Sequence, residues 1–167
     1  FGLYTTDKQG VKIDRAEYDG YFTGNSENSF FNLRNSDLLW NSLLVKNSLS
    51  FNKYWNKWRL GLLDLTKTDR VLKFRSDFEL GASKNKNLLF GFEYENRNEI
   101  FKGTIPNEEY DYRPNADGEK LNTSIITNHL GFYGEAQVKN FVGINNTFII
   151  PGIRFDIFAQ FNINWID

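Results

Sequence analysis

The sequence predicts an all-β fold of long antiparallel strands, of the kind that lines transmembrane β-barrels. Three observations predict it. The first is period-two alternation over long runs, with Leu and Phe on one parity and charged residues on the other. The second is strand length, because the runs reach the about nine to eleven residues that a tilted strand needs to cross a bilayer. The third is composition: Phe (16), Tyr (8) and Trp (4) are abundant, as strands and interfacial girdles require. No uncharged apolar run approaches the about 18 residues of a membrane helix. A mean hydropathy of −0.52 suits a barrel, since only alternate residues of each strand meet lipid. The absence of cysteine excludes disulfides and thiolate metal sites, and a net charge of −1 gives no electrostatic case for nucleic acid.

Residues 1–37 read as a long loop with little regular structure, because Asp7-Lys8-Gln9-Gly10, Asp19-Gly20 and Gly24 to Asn28 are turn-rich clusters. Residues 38–167 read as barrel hairpins. From Leu39 to Phe51, Leu39, Leu43, Val45, Leu49 and Phe51 alternate with Ser42, Lys46, Ser48 and Ser50. Asn52 to Lys57 reads as a turn with aromatics at the interface belt, and Trp58, Leu60 and Leu62 begin the next strand.

The centre of the pattern is Arg70 to Asn98. Leu72, Phe74, Phe78 and Leu80 lie on even positions of one arm, and Leu88, Phe90, Phe92 and Tyr94 on even positions of the other. Lys73, Arg75, Glu93 and Glu95 lie on the odd face and are predicted to form a charge network lining the barrel lumen. Pairing Arg75 with Glu93 and Lys73 with Glu95 satisfies both faces, whereas the adjacent register sets Asp77 against Glu93 and Lys73 against Arg97. At about 0.2–1 kcal/mol per pair, the first register wins. It leaves Ser83-Lys84-Asn85 as a three-residue loop. Glu93 and Glu95 share a face, but their basic neighbours make them members of a solvated network and not a catalytic pair.

Glu99 to Thr123 reads as a long extracellular loop, with Ser83 to Asn87 and Asn140 to Asn145 as periplasmic turns at the opposite end. Within the loop, Tyr110, Asp111, Tyr112 and Asp117 are candidate ligand contacts. Asn115-Ala116-Asp117-Gly118 has the form of the middle of a calcium loop. However, Arg113 stands where an acidic ligand is needed and no glutamate follows at the required distance, so an ordinary turn is expected. Ser124 to Lys139 is another strand, followed by an alternating run from Thr147 that Pro151 should interrupt. His129 is the sole histidine, and Ser124, five residues away on a strand, should point to the opposite face. No catalytic residue, metal or cofactor is therefore predicted, and the chain does not read as an enzyme.

The run from Leu130 to Asp156 resembles the barrels of TonB-dependent outer-membrane receptors. Gly152-Ile153-Arg154-Phe155-Asp156 matches their Gly-Leu/Ile-Arg-Tyr/Phe-Asp strand, and Phe132-Tyr133-Gly134-Glu135 a preceding aromatic and charged strand. Leu89-Phe90-Gly91-Phe92-Glu93-Tyr94 is similar to their Phe-Gly-x-Glu-Tyr strands. The resemblance covers Arg70 to Asp156. It implies a segment of a larger plugged barrel, here roughly six strands by alternation, with no plug and no TonB-box peptide visible. It further implies a bacterial outer-membrane location, lipid as a neighbour, and import of a scarce nutrient such as a siderophore, vitamin, glycan or peptide. Coupling to the TonB complex would run through parts not in this chain. Two other readings remain open on sequence: a small complete barrel of about eight strands, and a secreted soluble β-sandwich that binds carbohydrate on exposed aromatics.

Overall fold

A computed structural model describes residues 1–15, 18–40, 42–83, 86–109, 111–139 and 147–164. Its elements are β1 (Gly2–Arg15), β2 (Tyr18–Leu39), β3 (Leu43–Leu60), β4 (Leu63–Ser83), β5 (Lys86–Pro106), β6 (Gly118–Lys139), β7 (Phe148–Ile149) and β8 (Gly152–Asn164). All pair antiparallel in sequence order into one sheet, with β7 and β8 both on β6. The described residues contain no helix. β7 and β8 lie on β6 in the same register, and the Ala136 N–H donates to the Pro151 carbonyl at 3.0 Å. Pro151 thus interrupts the strand, as expected of a residue with no N–H, without slipping it. The described part of the sheet is open, because β1 and β8 do not pair with each other. The antiparallel all-β architecture is present and barrel closure is not.

The central register is the one that the charges favour: Lys73 faces Glu95 and Arg75 faces Glu93. The turn differs from the expectation. A β-bulge between Gly81 and Ser83 shifts the register so that Ser83 pairs with Lys86, shortening the connection to residues 84–85, which lie outside the described residues. The expected turn at Asn140 to Asn145 also lies outside them.

Several sequence expectations are corrected. Residues 1–37 are no loop: β1 and β2 pair from Gly2–Phe31 to Arg15–Tyr18. Asn52 to Lys57 lies inside β3, and the turn falls instead at Gly61-Leu62, where Gly61 takes φ 56°. The run from Leu39 to Phe51 is broken by a turn at its start, where the Ser42 N–H donates to the Leu39 carbonyl. The predicted loop from Glu99 to Thr123 shrinks to 107–117, because β5 runs to Pro106 and β6 starts at Gly118. Along Asp7 to Gln9 and Asn25 to Asn28 both faces of the strand are polar, so alternation is lost while the backbone ladder persists.

β2 to β6 are 22, 18, 21, 21 and 22 residues long, far beyond the usual five or so of soluble strands. Alternation and register place Leu72, Phe74, Phe78 and Leu80 on one face with Leu88, Phe90, Phe92 and Tyr94, and next to them Leu130, Phe132 and Ala136. Ile153, Phe155 and Ile157 of β8 continue the band, and Leu43, Val45, Leu49 and Phe51 of β3 extend it on the other side. Toward the end that carries 107–117, the same face turns polar, with Lys53, Arg70, Asn96 and Asn128. On β3 to β6 the band therefore occupies only about half the strand length, whereas on β8 the apolar face runs on through Ala159, Phe161 and Ile163.

No second layer covers it. Among the described residues, Val45, Leu60 and Val71 are the only buried hydrophobics, and no side chain is fully buried. Phe132 is 45% exposed, Phe155 62% and Ile153 79%. A compact monomer of 19.5 kDa would expose about 8,500 Å², against 11,864 Å² here. The second sheet that a sandwich requires is absent among the described residues.

Candidate functional site

Opposite the apolar band, the odd positions of β4, β5 and β6 and the even positions of β8 carry two adjacent charge clusters, one around Glu95 and a larger one around Glu93. Lys73 Nζ meets Glu95 at 2.7 Å, and Arg97 meets the other Glu95 oxygen at 3.5 Å. Arg75 sits 3.8 Å from Glu93 but commits its guanidinium to Asp77, donating from Nε at 3.0–3.1 Å and Nη2 at 2.9 Å. The four predicted network residues form two opposed pairs, Lys73 with Glu95 and Arg75 with Glu93, and the second pair extends into a larger cluster.

Two glycines explain the extension. Gly91 stands between Asp77 and Tyr133 in the cross-strand row, and with no Cβ it lets the Tyr133 ring lie over β5. The Tyr133 hydroxyl thus reaches from β6 to β4 and donates to Asp77, with Arg75 over its ring at 5.1 Å. A Cβ on Gly91 would stand 2.4 Å from both the Tyr133 hydroxyl and the Ser76 carbonyl. Gly131 does the same one row away, between Glu93 and Asp156. Over it Arg154 donates both to Glu93 and to Asp156, the latter at 2.9 Å. His129 Nε2 contacts Asp156 at 2.7 Å, and its ring stacks on Phe158 at 4.4 Å.

Glu93, His129 and Asp156 place ligand atoms within 4.8 Å of one another, a spacing that a metal accepts. Arg154 already bridges both carboxylates, so charge balance is met by a guanidinium and a cation would compete with it. Ser124 and His129 fall on opposite faces, as their spacing requires: Ser124 Oγ donates to Asn98 on the side of the apolar band. They form no nucleophile–base pair.

The predicted loop contacts stand apart from this network. Tyr110 lies outside the described residues. Asp111 accepts two side-chain bonds from Arg113, at 2.8 and 2.7 Å, which hold its carboxyl below the ordinary range and raise Arg113 in turn. The Tyr112 carbonyl accepts from the Leu62 N–H at 3.2 Å, docking the loop on the β3–β4 turn. The Asp117 carbonyl accepts from the Asn107 N–H at 3.0 Å, closing the loop base. No metal-spaced cluster forms around Asp117 among the described residues.

Sequence reasoning missed Asp77, Tyr133, His129, Arg154 and Asp156 as network members. The available signal was a glycine at an odd, charge-facing position of each strand, which marks a close approach. It also missed an aromatic and amide cleft on the charged face of β1 to β3, since Tyr54 was assigned to a turn.

The class that these features define is an all-β antiparallel sheet with one largely apolar and one charged face. No family model matches the chain, and neither a curated protein nor a solved structure does.

Proposed function

We propose that this chain forms part of the barrel wall of a TonB-dependent outer-membrane receptor that imports a scarce nutrient across the bacterial outer membrane. The observation that carries the reading is the exposed apolar band, confined on β3 to β6 to about half the strand length and backed by a charged face, with no second layer among the described residues. Lipid would cover the band and water the charges, which is how a barrel wall divides its two faces. The motifs from Leu89 to Tyr94 and from Gly152 to Asp156 support the family, and both unpaired edges leave room for further strands. The 107–117 loop lies at the opposite end from the β4–β5 connection, so it would be extracellular and that connection periplasmic.

The chain has no cysteine, so single cysteines report cleanly. In lipid vesicles, Phe132→Cys should resist a water-soluble maleimide while Asp117→Cys reacts fully. Equal labelling of the two would overturn the membrane assignment.

A further inference from the structure

We propose that the cleft formed by β1, β2 and β3 on the charged face is a binding site for a neutral saccharide. The cavity measures about 260 Å³ and is lined by Asp7 and Gln9 of β1, Phe22, Gly24 and Ser26 of β2, and Tyr54, Asn56 and Trp58 of β3. The register organises it into two rows. Asp7, Ser26 and Asn56 face one another across the strands, and so do Gln9, Gly24 and Trp58. Tyr54 and Trp58 sit on the same side as Asn56, about 7 Å to either side of it along the strand. The result is a polar strip between two aromatic surfaces.

The chemistry of the strip narrows the ligand. Asn56 is only 8% exposed, yet its amide makes no hydrogen bond with the described residues while it lines the cavity. Its amide nitrogen and oxygen are not closed off from solvent, so they open onto the cleft and offer both a donor and an acceptor to an occupant. Gln9 Nε2 donates to Asp7 Oδ2 at 2.9 Å, which orients the carboxylate and leaves its Oδ1 to accept. Ser26 adds a hydroxyl that can act in either sense. No cation lines the cleft, so it does not suit a phosphate or carboxylate. A purely apolar ligand would strand Asp7 and Asn56. A ligand with hydroxyls around its rim and C–H groups on its faces satisfies both the strip and the rings, and a pyranose has that construction. Gly24 forms the floor: a Cβ there would stand 3.5 Å from the Phe22 ring and 3.8 Å from the Trp58 ring, so a larger side chain fills the space between them.

The cleft rests on the proposed function only in naming the imported nutrient as a glycan and in placing the site toward the outer mouth. The test applies the complete barrel that carries this wall segment, in a detergent without a sugar headgroup, to an array of neutral oligosaccharides: α- and β-glucans, xylan, mannan and galactan fragments. The best hit is then titrated by calorimetry. Wild type should bind at least one glycan. Trp58→Ala should weaken it about tenfold, as loss of an aromatic surface does, and Gly24→Leu should abolish it. Arg34→Gln, on the same face but outside the cleft, should bind as wild type does. Folding of each variant is checked by its heat-dependent mobility on a detergent gel. A wild type that is folded by that criterion but binds no printed glycan overturns the site and leaves the barrel standing. Binding that survives both Trp58→Ala and Gly24→Leu also overturns it. Absence of heat-dependent mobility in the wild type counts instead against the barrel.

Discussion

Replacing Phe90 with arginine separates a lipid-facing surface from a water-facing one. Phe90 is 39% exposed, lies within the apolar run from Leu88 to Tyr94, and stacks on Phe78 with centroids 5.1 Å apart. Asn96, on the same face, is six residues along β5, which is about 20 Å at 3.4 Å per residue. A strand tilted by about 40° converts that to about 15 Å of depth, more than half of an apolar band about 25 Å tall. Phe90 should therefore lie near the bilayer centre and Asn96 at or beyond its boundary. Relative to alanine at the same position, arginine should cost about 2–4 kcal/mol at position 90 and about 0–1 kcal/mol at position 96. Using alanine as the reference removes the lost ring stacking from the comparison. Denaturant unfolding from phospholipid vesicles, followed by tryptophan fluorescence, gives the four free energies. On a solvated surface both arginines would fall within about 0.5 kcal/mol of alanine. Equal costs at the two positions would refute the depth assignment and the membrane reading with it.

Two further outcomes are expected. Gly91→Ala should destabilise by about 1–3 kcal/mol, since its Cβ meets the Ser76 carbonyl at 2.4 Å, while Gly134→Ala, whose nearest atoms are 3.9 Å away, should stay within about 0.5 kcal/mol in the same unfolding assay. In the loop, a carboxyl NMR titration should put Asp111 below the ordinary aspartate value, and Arg113→Gln should raise it, because the guanidinium hydrogen bonds are the main cause of the depression. The stabilisation from that pair is complete above the ordinary value and disappears as pH falls through the depressed one.

The parts of the fold that were legible share one property: their two faces differ. Between Leu72 and Tyr94 the apolar and charged parities contrast so strongly that strand, face and register all follow. A one-residue slip would put Phe on the side of Glu. The hairpin of β1 and β2 lacks that contrast. Thr6 and Lys8 on one face oppose Asp7 and Gln9 on the other, and Asn25 opposes Ser26. Alternation reports a difference between environments, and where both faces meet water nothing alternates, although the ladder forms all the same. The same cause hid the outer halves of β3 to β6 and made Asn52 to Lys57 resemble a turn. The candidate network was legible to one step, the directly opposed pairs Lys73–Glu95 and Arg75–Glu93. Its longer reaches, Tyr133 to Asp77 and Arg154 to Glu93, cross a whole strand over a glycine, and pairwise reasoning between adjacent strands does not extend that far.

The extent of the apolar band also bears on what covers it. A second protein layer packs against a sheet along most of its strand length, so a sandwich face stays apolar wherever its partner lies. Here the face that carries Leu72, Phe74 and Phe78 gives way to Arg70, Thr68 and Thr66 on the same strand, and the same change recurs at Asn96 and Asn98 of β5 and at Lys53 of β3. The strands stay paired through the change, so the boundary is not a break in the sheet. In the proposed barrel, a bilayer of fixed thickness would produce such a boundary on β3, β4 and β5, and it would leave their outer halves free to build a hydrated mouth. The cleft of Asp7, Asn56 and Trp58 lies beyond the band, toward the end that carries 107–117, and in the proposed barrel a solute arriving from outside would meet it first.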